Sequence, residues 1–344
     1  MKIMVCGDFQ SIPLTRRCAD ALEALGCAVA RFDSEDRVRR LPGIAMRLGR
    51  SLAKPLGLKR RVAGLFADAL YRRRRERLLA AAEAFVPDAV LVVRGNHFDH
   101  ETLARLHRRA RTACWFVRDQ KRQAAMRRER ADYDLYYSMH RCHEAEGIPW
   151  LPVFAREPQD YRPDAAVAKD VPLLFLGGWT ARRQRWLEAL GGLAPQLALI
   201  GPHWRARLGP AHPLHRCVKA DWVQGDDVRR WYQRAQVVIN INQWDAGELS
   251  GANLRIADVP ACGTVLLSEY SDDLADLFRL DDELPVFRDP AGLHAQCAAL
   301  LADAPRRRCI EAAGLAATAR LGTYRDRMAR VLDDLARLPA PAAT

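Results

Sequence analysis

Short apolar runs alternate with segments of helical spacing along the chain, and a proline-rich stretch separates two such series. In the first series, residues 3–6 and 89–93 are apolar runs bounded by glycine or proline, as strands are. In the second series, residues 173–176 and 237–241 repeat this pattern. Strands that alternate with helices form βαβ units with a parallel sheet. The sequence therefore predicts an α/β protein with two such sheets.

The proline-rich stretch lies at residues 149–172 and divides the chain into two domains. Proline fixes φ and removes a backbone donor, so we interpret this stretch as containing an interdomain linker. We predict an N-terminal Rossmann-like domain at 1–155, a linker at 156–172 and a C-terminal Rossmann-like domain at 173–322. A last helix at 323–338 is expected to return to the N-terminal domain. Two such domains bind ligands in the cleft between the carboxyl ends of their strands.

Basic residues are concentrated in one early segment. The net charge is +12, from 54 Lys and Arg against 42 Asp and Glu. Residues 37–77 contain 14 of the basic residues and only two acids, Asp68 and Glu76, so the rest of the chain is neutral. A surface that binds nucleic acid over its whole extent is therefore not expected. Apolar residues make up 49% of the chain, which excludes disorder throughout.

Cysteine usage and hydropathy indicate the compartment. The nine cysteines are odd in number and none lies in a C-x-x-C pair, which argues against a disulfide framework or a zinc ribbon. The first apolar run is too short for a signal peptide, and no apolar stretch approaches the roughly 20 residues that span a bilayer. The sequence predicts a cytoplasmic protein, with peripheral association at the inner face of the membrane as an open alternative.

Residues 251–263, with the sequence G-A-N-L-R-I-A-D-V-P-A-C-G, carry the densest polar motif. A helix that starts near Asn253 would direct free N–H groups at an anion such as a diphosphate. Arg255 can contact phosphate through two N–H groups, and Asp258 could accept hydrogen bonds from ribose hydroxyls. Alternatively, Asn253 only caps the helix and Asp258 only pairs with an arginine, and the residues alone leave both interpretations open.

This motif resembles that of the CgeB-like branch of the group 1 glycosyltransferases, whose pattern is roughly N-x-R-x-F-E-x-x-A-C-G. The positions that match are Asn253, Arg255, Ala261, Cys262 and Gly263. Asp258 stands where the family has the glutamate that holds the donor ribose, and Ser250 replaces an acid that is frequent in the wider superfamily.

The resemblance implies the GT-B fold, in which two Rossmann-like domains face each other across a cleft. It also implies metal-independent transfer of a sugar from a nucleotide-sugar donor, with no cofactor. The acceptor would be a cell-surface glycan, a lipid-linked molecule or a protein, as in surface-polysaccharide biosynthesis. Two other classes stay open, namely a catalytically silent GT-B-like protein that binds a nucleotide or glycan, and a nucleic-acid-binding protein. The scarcity of aromatic residues in the basic segment weighs against the latter.

The segment that opens the second domain, L-F-L-G-G-W-T-A-R-R at 174–183, resembles the strand–glycine–arginine segment of the family. Gly177 and Gly178 would let a phosphate or sugar approach the backbone. Arg183 is the expected partner of the leaving diphosphate, and Arg182 is the alternative. The other interpretation is that both arginines lie on a solvated helix face.

Residues 199–204 fall where enzymes of this family often bind the nucleobase, which brings in Gly201 and His203. Trp204 either contributes to that pocket or packs in the core. Asp226 and Asp227 are interpreted as N-terminal caps of a helix rather than as a metal site. No metal is therefore expected.

Candidate catalytic residues follow predicted strands of the first domain, where the family has residues near the reacting sugar. Asp119 is the first candidate for a general base, should the reaction invert, followed by His97 and Asp8. For His97, the alternative is a helix cap or a surface position.

Residues 37–80 are predicted to form a basic helical insertion in the first domain. Leu41, Ile44 and Leu48 fall on one helical face, and four consecutive arginines occupy 72–75. Apolar stripes flanked by arginine favour contact with an anionic membrane surface or a lipid-linked acceptor. Alternatively, the stripes pack on the first domain and the arginines are solvated.

Overall fold

A computed structural model describes residues 1–9, 13–34, 59–95, 98–117, 123–242 and 253–339, with the backbone alone for 59–70, 123 and 125. The chain forms two compact units. The first unit comprises Met1–Leu151 together with Tyr324–Thr344, and the second comprises Pro152–Thr323.

The strands are β1 (Lys2–Gly7), β2 (Ala28–Asp33), β3 (Ala89–Val93), β4 (Arg111–Phe116), β5 (Leu135–Ser138), β6 (Val171–Leu176), β7 (Leu197–Ile200), β8 (Val218–Ala220), β9 (Ala235–Asn240), β10 (Val265–Glu269) and β11 (Val286–Phe287). The α-helices are α1 (Pro13–Ala24), α2 (Lys59–Phe85), α3 (His100–His107), α4 (Gln123–Glu129), α5 (Ala181–Glu188), α6 (Trp204–Arg207), α7 (Asp226–Arg234), α8 (Arg255–Ala261), α9 (Asp272–Leu277), α10 (Pro290–Ala302), α11 (Ala304–Ala317) and α12 (Tyr324–Arg337).

The first unit contains a parallel sheet with the order β2-β1-β3-β4-β5 in the described part of the chain. Strand β3 has the sequence A-V-L-V-V and is buried throughout, which is typical of a central strand covered on both faces. The chain order reverses between β1 and β3. Such a reversal leaves a crevice at the carboxyl ends of the two strands.

The second unit contains a parallel sheet with the order β11-β10-β9-β6-β7-β8 among the described residues. Strands β6, β7 and β8 follow one another in one direction across the sheet, and β9, β10 and β11 follow one another in the opposite direction. This is the strand order of the doubly wound nucleotide-binding fold, with its reversal between β6 and β9. Both units are therefore Rossmann-like parallel α/β domains, as the strand and helix pattern predicts.

Helix α12 belongs to the first unit. Its buried face includes Tyr324, Met328 and Val331, which recur at helical spacing. The Tyr324 ring lies 6.4 Å from that of Trp115, and Tyr137 Oη donates to Asp334 Oδ2 at 2.7 Å. The helix predicted for 323–338 thus packs on the core of the first unit.

The predicted linker, residues 156–172, is grouped with the second unit. Lys169 Nζ donates to the carbonyl oxygen of Gly263 at 2.9 Å and to Thr264 Oγ1 at 2.8 Å. Gln233 Nε2 donates to the carbonyl oxygen of Arg162 at 2.8 Å. These contacts attach the stretch to the domain that follows it.

Helix α2 covers the C-terminal half of the predicted basic insertion. Leu78 is fully buried in the core of the first unit. Arg75 pairs with Glu101 at 2.9 Å, whereas Arg72 and Arg73 are exposed. The apolar stripe predicted between residues 41 and 52 lies outside the described residues. In the part of the chain that the structure covers, no helix is long and apolar enough to cross a membrane.

Candidate functional site

The reversal in the second sheet positions the candidate donor-binding residues. Strand β6 ends at Leu176 and β9 ends at Asn240, and the two strands are neighbours. In open parallel sheets, ligands bind in the crevice outside the carboxyl ends of strands at such a reversal. Helix α5 follows β6, and helix α8 follows β9, so residues of both helices can reach this crevice.

Arg255, in the first turn of α8, is fixed to this reversal by a chain of hydrogen bonds. Its Nη2 donates to the carbonyl oxygen of Leu176 at 2.6 Å, and its backbone N–H donates to Asn253 Oδ1 at 3.0 Å. Asn253 Nδ2 donates to Asn240 Oδ1 at 2.9 Å, and Asn240 Nδ2 donates to Ser268 Oγ at 3.0 Å. The chain of bonds holds the start of α8 against the ends of β6, β9 and β10.

Arg183, in the first turn of α5, is buried, with 4% of its surface exposed. Its Nε and Nη2 donate to the carbonyl oxygen of Ile241 at 3.1 and 3.0 Å, and its Nη1 donates to that of Gly178 at 3.0 Å. A guanidinium has five N–H donors, and these bonds hold it in a defined orientation. Arg183 is therefore not part of a solvated helix face.

Arg182, Arg183 and Arg255 form what we call the arginine cluster. Burial lowers the pKa of Arg183 to about 9, the charges of Arg255 and Arg182 act in the same direction, and Glu269 opposes them. Crowded cations away from water repel one another, and an anion relieves that repulsion. The arginine cluster is accordingly suited to a phosphate group, which arginine binds in a planar, bidentate manner.

Arg182 differs from the other two arginines because a carboxylate holds it. Its Nη1 donates to Glu269 Oε2 at 3.0 Å, and its Nη2 donates to Glu269 Oε1. The guanidinium also lies over the ring of Trp186 at 4.4 Å. Glu269 Oε2 accepts a third bond, from the backbone N–H of Asn242 at 2.9 Å.

The predicted glycines pack against one another beside the arginine cluster. Gly201 has a φ of +149°, and a Cβ built on it would lie 2.1 Å from the carbonyl oxygen of Gly177. A Cβ on Gly178 would lie 3.3 Å from Pro202. Trp204 is fully buried, and its Nε1 donates to the carbonyl oxygen of Gly177 at 2.8 Å. Of the two interpretations of Trp204, the structure shows packing. Contact of the glycines with a donor stays a prediction.

His203 and Asp258 occupy very different environments. His203 precedes α6 in a left-handed conformation, with a φ of +73°, and is exposed. Asp258 lies within α8 and is 5% exposed. Burial raises the pKa of Cys262 to about 12, and the charge of Asp258 adds to this shift, so the carboxylate lies near that thiol. Contacts of these residues with a base and a ribose stay predictions.

Asp226 and Asp227 do not cap α7, contrary to the interpretation from the sequence. The cap position is Gly225, and both acids lie in the first turn. There their negative charges interact favourably with the positive end of the helix dipole. Asp226 also pairs with Arg229 at 3.0 Å. Within the described ranges, no group of three or more His, Cys, Asp or Glu side chains is arranged to hold a metal ion.

In the first unit, Asp8 lies at the reversal between β1 and β3. It directly follows β1, is 2% exposed, and has its Oδ2 3.6 Å from Nη1 of Arg94. Arg94 directly follows β3 and has a φ of +90°. The other two candidate bases, Asp119 and His97, lie outside the described residues, as does Ser250.

Sequence reasoning missed Glu269 and the pair Asn240 and Asn242. All three are buried polar residues at the ends of β9 and β10. The available signal was the change from apolar to polar residues at the end of each run, V-V-I-N-I-N at 237–242 and V-L-L-S-E at 265–269. Ligands bind outside the carboxyl ends of parallel strands at a reversal, so polar residues that end such strands are candidates for the ligand crevice.

Residues 182–333, which include the arginine cluster, match the protein family described as Glycosyl transferase-like. Over this range the chain is glycosyltransferase-like. The match extends over less than half of the 344 residues. No curated protein sequence matches the chain.

Solved structures resemble the chain over 98% of its length. Sucrose-phosphate synthase from Thermosynechococcus elongatus has a TM-score of 0.69 and 12% identity, with 98% of each chain covered. HepE from Anabaena, in complex with UDP and glucose, has a TM-score of 0.60 and 11% identity, over 98% of this chain and 100% of that one. A trehalose-6-phosphate structure from E. coli, bound with UDP-2-fluoro glucose, has a TM-score of 0.62 and 14% identity, over 98% of this chain and 100% of that one.

These similarities confirm the predicted GT-B class of fold, with its two Rossmann-like α/β domains. The family match is to a glycosyltransferase-like family, and the solved structures show the fold. The narrower resemblance to the CgeB-like branch stays a prediction.

Proposed function

We propose that the protein transfers a sugar from a nucleotide-sugar donor whose diphosphate binds at the arginine cluster. The observation that carries this proposal is the convergence of Arg182, Arg183 and Arg255 at the reversal between β6 and β9. The similarity of residues 182–333 to glycosyltransferases supports it. The UDP and UDP-sugar ligands of HepE and the E. coli structure support a nucleotide-sugar as the donor.

The arginine cluster would act on the leaving group. When the bond between the sugar and the diphosphate breaks, negative charge develops on the leaving phosphate oxygen. Arg183 and Arg255 are already oriented by bonds to backbone carbonyls, so they need little rearrangement to stabilise that charge. Because Arg183 is buried, its interaction with the diphosphate is screened less than in water. We therefore propose that these arginines provide the charge for a metal-independent reaction.

The acceptor is proposed to be a glycan, a lipid-linked molecule or a protein with a free hydroxyl. If the reaction inverts, a general base removes the hydroxyl proton, and Asp119 is the proposed base, with His97 and Asp8 as alternatives. Asp8 is buried, and its Oδ2 lies 3.6 Å from Nη1 of Arg94, so this ion pair holds the carboxylate in position. In an inverting enzyme, Asp119→Asn is expected to reduce turnover while nucleotide affinity is unchanged.

We further propose that the basic segment 37–80 brings the protein to an anionic membrane surface or a lipid-linked acceptor. The exposed arginines Arg72 and Arg73 support this proposal, whereas Arg75 is paired with Glu101. Co-sedimentation with liposomes tests it. Binding should require anionic lipid and should weaken with salt. Binding that is equal for neutral vesicles, or that is insensitive to salt, would contradict the proposal.

A panel of nucleotides tests the proposed function. Thermal unfolding is measured with UDP, GDP, dTDP, ADP and CMP, since a ligand at about 100 times its Kd stabilises the folded state by roughly 2.7 kcal/mol. The nucleotide that shifts the midpoint then identifies the sugar donors for assays of hydrolysis and transfer. A shift without hydrolysis or transfer would indicate a silent binding protein. No shift with any nucleotide, combined with a salt-sensitive mobility shift of DNA or RNA, would indicate a nucleic-acid-binding protein.

A further inference from the structure

Glu269 is a buried carboxylate inside the arginine cluster. It ends β10 and is 2% exposed. Three N–H groups donate to it, two from Arg182 and one from the backbone of Asn242. Its charge also acts on Arg183, where it opposes the lowering of the pKa by the neighbouring arginines. The carboxylate thus neutralises part of the charge that makes the cluster suited to an anion.

We propose that Glu269 is an internal counter-ion that limits how tightly the arginine cluster binds a diphosphate. This inference rests on the proposed function, in which the cluster holds the donor and then releases the nucleoside diphosphate. Glu269 keeps Arg182 paired with its own carboxylate, so Arg183 and Arg255 are the arginines that bind the anion directly. Its fixed negative charge also repels the diphosphate, and at this depth water screens that repulsion weakly. Glu269 is therefore a positioning residue that favours product release.

Glu269 also positions the backbone at the exit of β9. Glu269 accepts a hydrogen bond from the backbone N–H of Asn242, two residues beyond the end of β9. The Asn242 side chain faces Asn253, whose Nδ2 lies 3.5 Å from Asn242 Oδ1. Asn253 in turn accepts the backbone N–H of Arg255 at 3.0 Å. The carboxylate is thereby connected to both sides of the cluster, to Arg182 directly and to Arg255 through two asparagines.

Glu283 offers a matched control in the same unit. It is also a buried carboxylate held by two arginines, with Arg279 Nη2 at 2.9 Å and Arg320 Nη2 at 2.6 Å. It accepts one backbone N–H, from Arg279 at 2.9 Å. The side chains of those arginines are 72% and 55% exposed, whereas the Arg182 side chain is 10% exposed and Arg183 is buried. Loss of the Glu283 charge should therefore affect folding but not the anion site.

The experiment compares Glu269→Gln with Glu283→Gln in the full chain. Calorimetry measures the Kd of inorganic pyrophosphate and of UDP at low ionic strength. We expect both variants to have lower unfolding midpoints without ligand. Glu269→Gln should bind pyrophosphate about tenfold more tightly, which corresponds to about 1.4 kcal/mol, and this gain should shrink with added salt. Glu283→Gln should have the Kd of the wild type.

A second pair of variants tests whether Glu269 keeps Arg182 from binding the anion, without relying on the single Glu269 change. Arg182→Gln should weaken pyrophosphate binding, because Glu269 then lacks its partner and repels the anion fully. Adding Glu269→Gln should restore the affinity at least to that of the wild type. If the double variant stays as weak as Arg182→Gln, then Arg182 binds the anion directly and the inference is overturned.

The outcomes separate this inference from the proposed function. If Glu269→Gln binds pyrophosphate no more tightly than the wild type does, the counter-ion role fails, even when UDP binds and sugar transfer occurs. If pyrophosphate binds more tightly to Glu269→Gln but no nucleotide binds to any variant, the counter-ion role stands and the glycosyltransferase proposal fails. If pyrophosphate binds to none of the proteins, the anion site itself is refuted.

Discussion

Arg255 Nη2 donates to the carbonyl oxygen of Leu176 at 2.6 Å, across 79 residues of sequence. Leu176 ends β6 and Arg255 begins α8, so this bond joins the two sides of the reversal in the second sheet. The guanidinium is consequently oriented before any ligand binds. Charge that is fixed in advance near a developing anion is commonly the largest contribution to catalysis.

Replacement of Arg255 by alanine should therefore reduce turnover by about 100-fold, the scale of losing one preorganised donor to an anion. Arg255→Lys should recover little, because an ammonium cannot reproduce the planar contacts of a guanidinium. Steady-state kinetics with the donor identified from the nucleotide panel provides the measurement. Arg185→Ala is the control, since Arg185 is exposed on the neighbouring helix α5. Equal activity of the Arg255 and Arg185 variants would contradict the role of Arg255.

Arg183→Ala is expected to lower turnover by at least about 100-fold and also to destabilise the second unit. The additional effect arises because the carbonyl oxygens of Ile241 and Gly178 lose their donors. A buried polar group left without a partner costs about 1–3 kcal/mol. Turnover and the thermal midpoint are measured on the same preparation. A variant with near-normal kinetics would remove Arg183 from the mechanism, whatever its stability.

Much of this site could be predicted from the sequence because its residues lie in local patterns. Asn253 and Arg255 occur within one short motif, and Gly177, Gly178 and Arg183 follow one apolar run. Glu269 lies 87 residues from Arg182 in the chain, and only the parallel register of β9 and β10 brings it to the cluster. No local pattern encodes that pairing. The short strands β8 and β11, of three and two residues, likewise carry too little periodicity to be predicted.

The contact between Gly201 and Gly177 gives a prediction about stability. In Gly201→Ala, the new Cβ would lie 2.1 Å from the carbonyl oxygen of Gly177, and φ at this position is +149°. Gly177 directly follows β6, and Gly201 directly follows β7. Because neither strand can move without disturbing a close-packed core, we expect the free energy of unfolding to fall by about 3 kcal/mol or more. Gly209→Ala is the control, since a Cβ there meets no atom within 4 Å. Chemical denaturation measures both, and similar midpoints would contradict the packing.

The sequence predicted a role for these glycines in ligand approach, whereas the structure shows that they are also required for packing. A glycine motif reports that a side chain is absent, and it does not specify what occupies the space. For Gly201 the backbone of Gly177 occupies it. The sequence likewise did not specify the surroundings of Trp204. Its side chain is buried in the core, where the indole N–H donates to the carbonyl oxygen of Gly177. Only the packing of β6 against β7 distinguishes a role in packing from a role in ligand binding for these residues.

The pH dependence of stability should reflect His143 in the first unit. This buried residue shares a 2.7 Å hydrogen bond between its Nδ1 and Ser138 Oγ. Burial lowers the pKa of His143, and the nearby His140 lowers it further. The unfolded chain therefore binds a proton at a higher pH than the folded chain does. Stability should consequently fall as the pH drops below about 6.5, the ordinary histidine value, toward the lower pKa of the folded state.

Thermal midpoints at pH 7.5 and 5.5 test this expectation. His143→Asn keeps a partner for Ser138 and removes the titrating group, so its midpoint should fall less on acidification than that of the wild type. His100→Asn is the control with the opposite sign, because the hydrogen bond to Asp132 raises the pKa of the exposed His100. Protonation of His100 stabilises the folded state at low pH, so loss of this residue should not reduce the fall in the midpoint. If His143→Asn and His100→Asn respond to acid in the same way, His143 is not the group responsible.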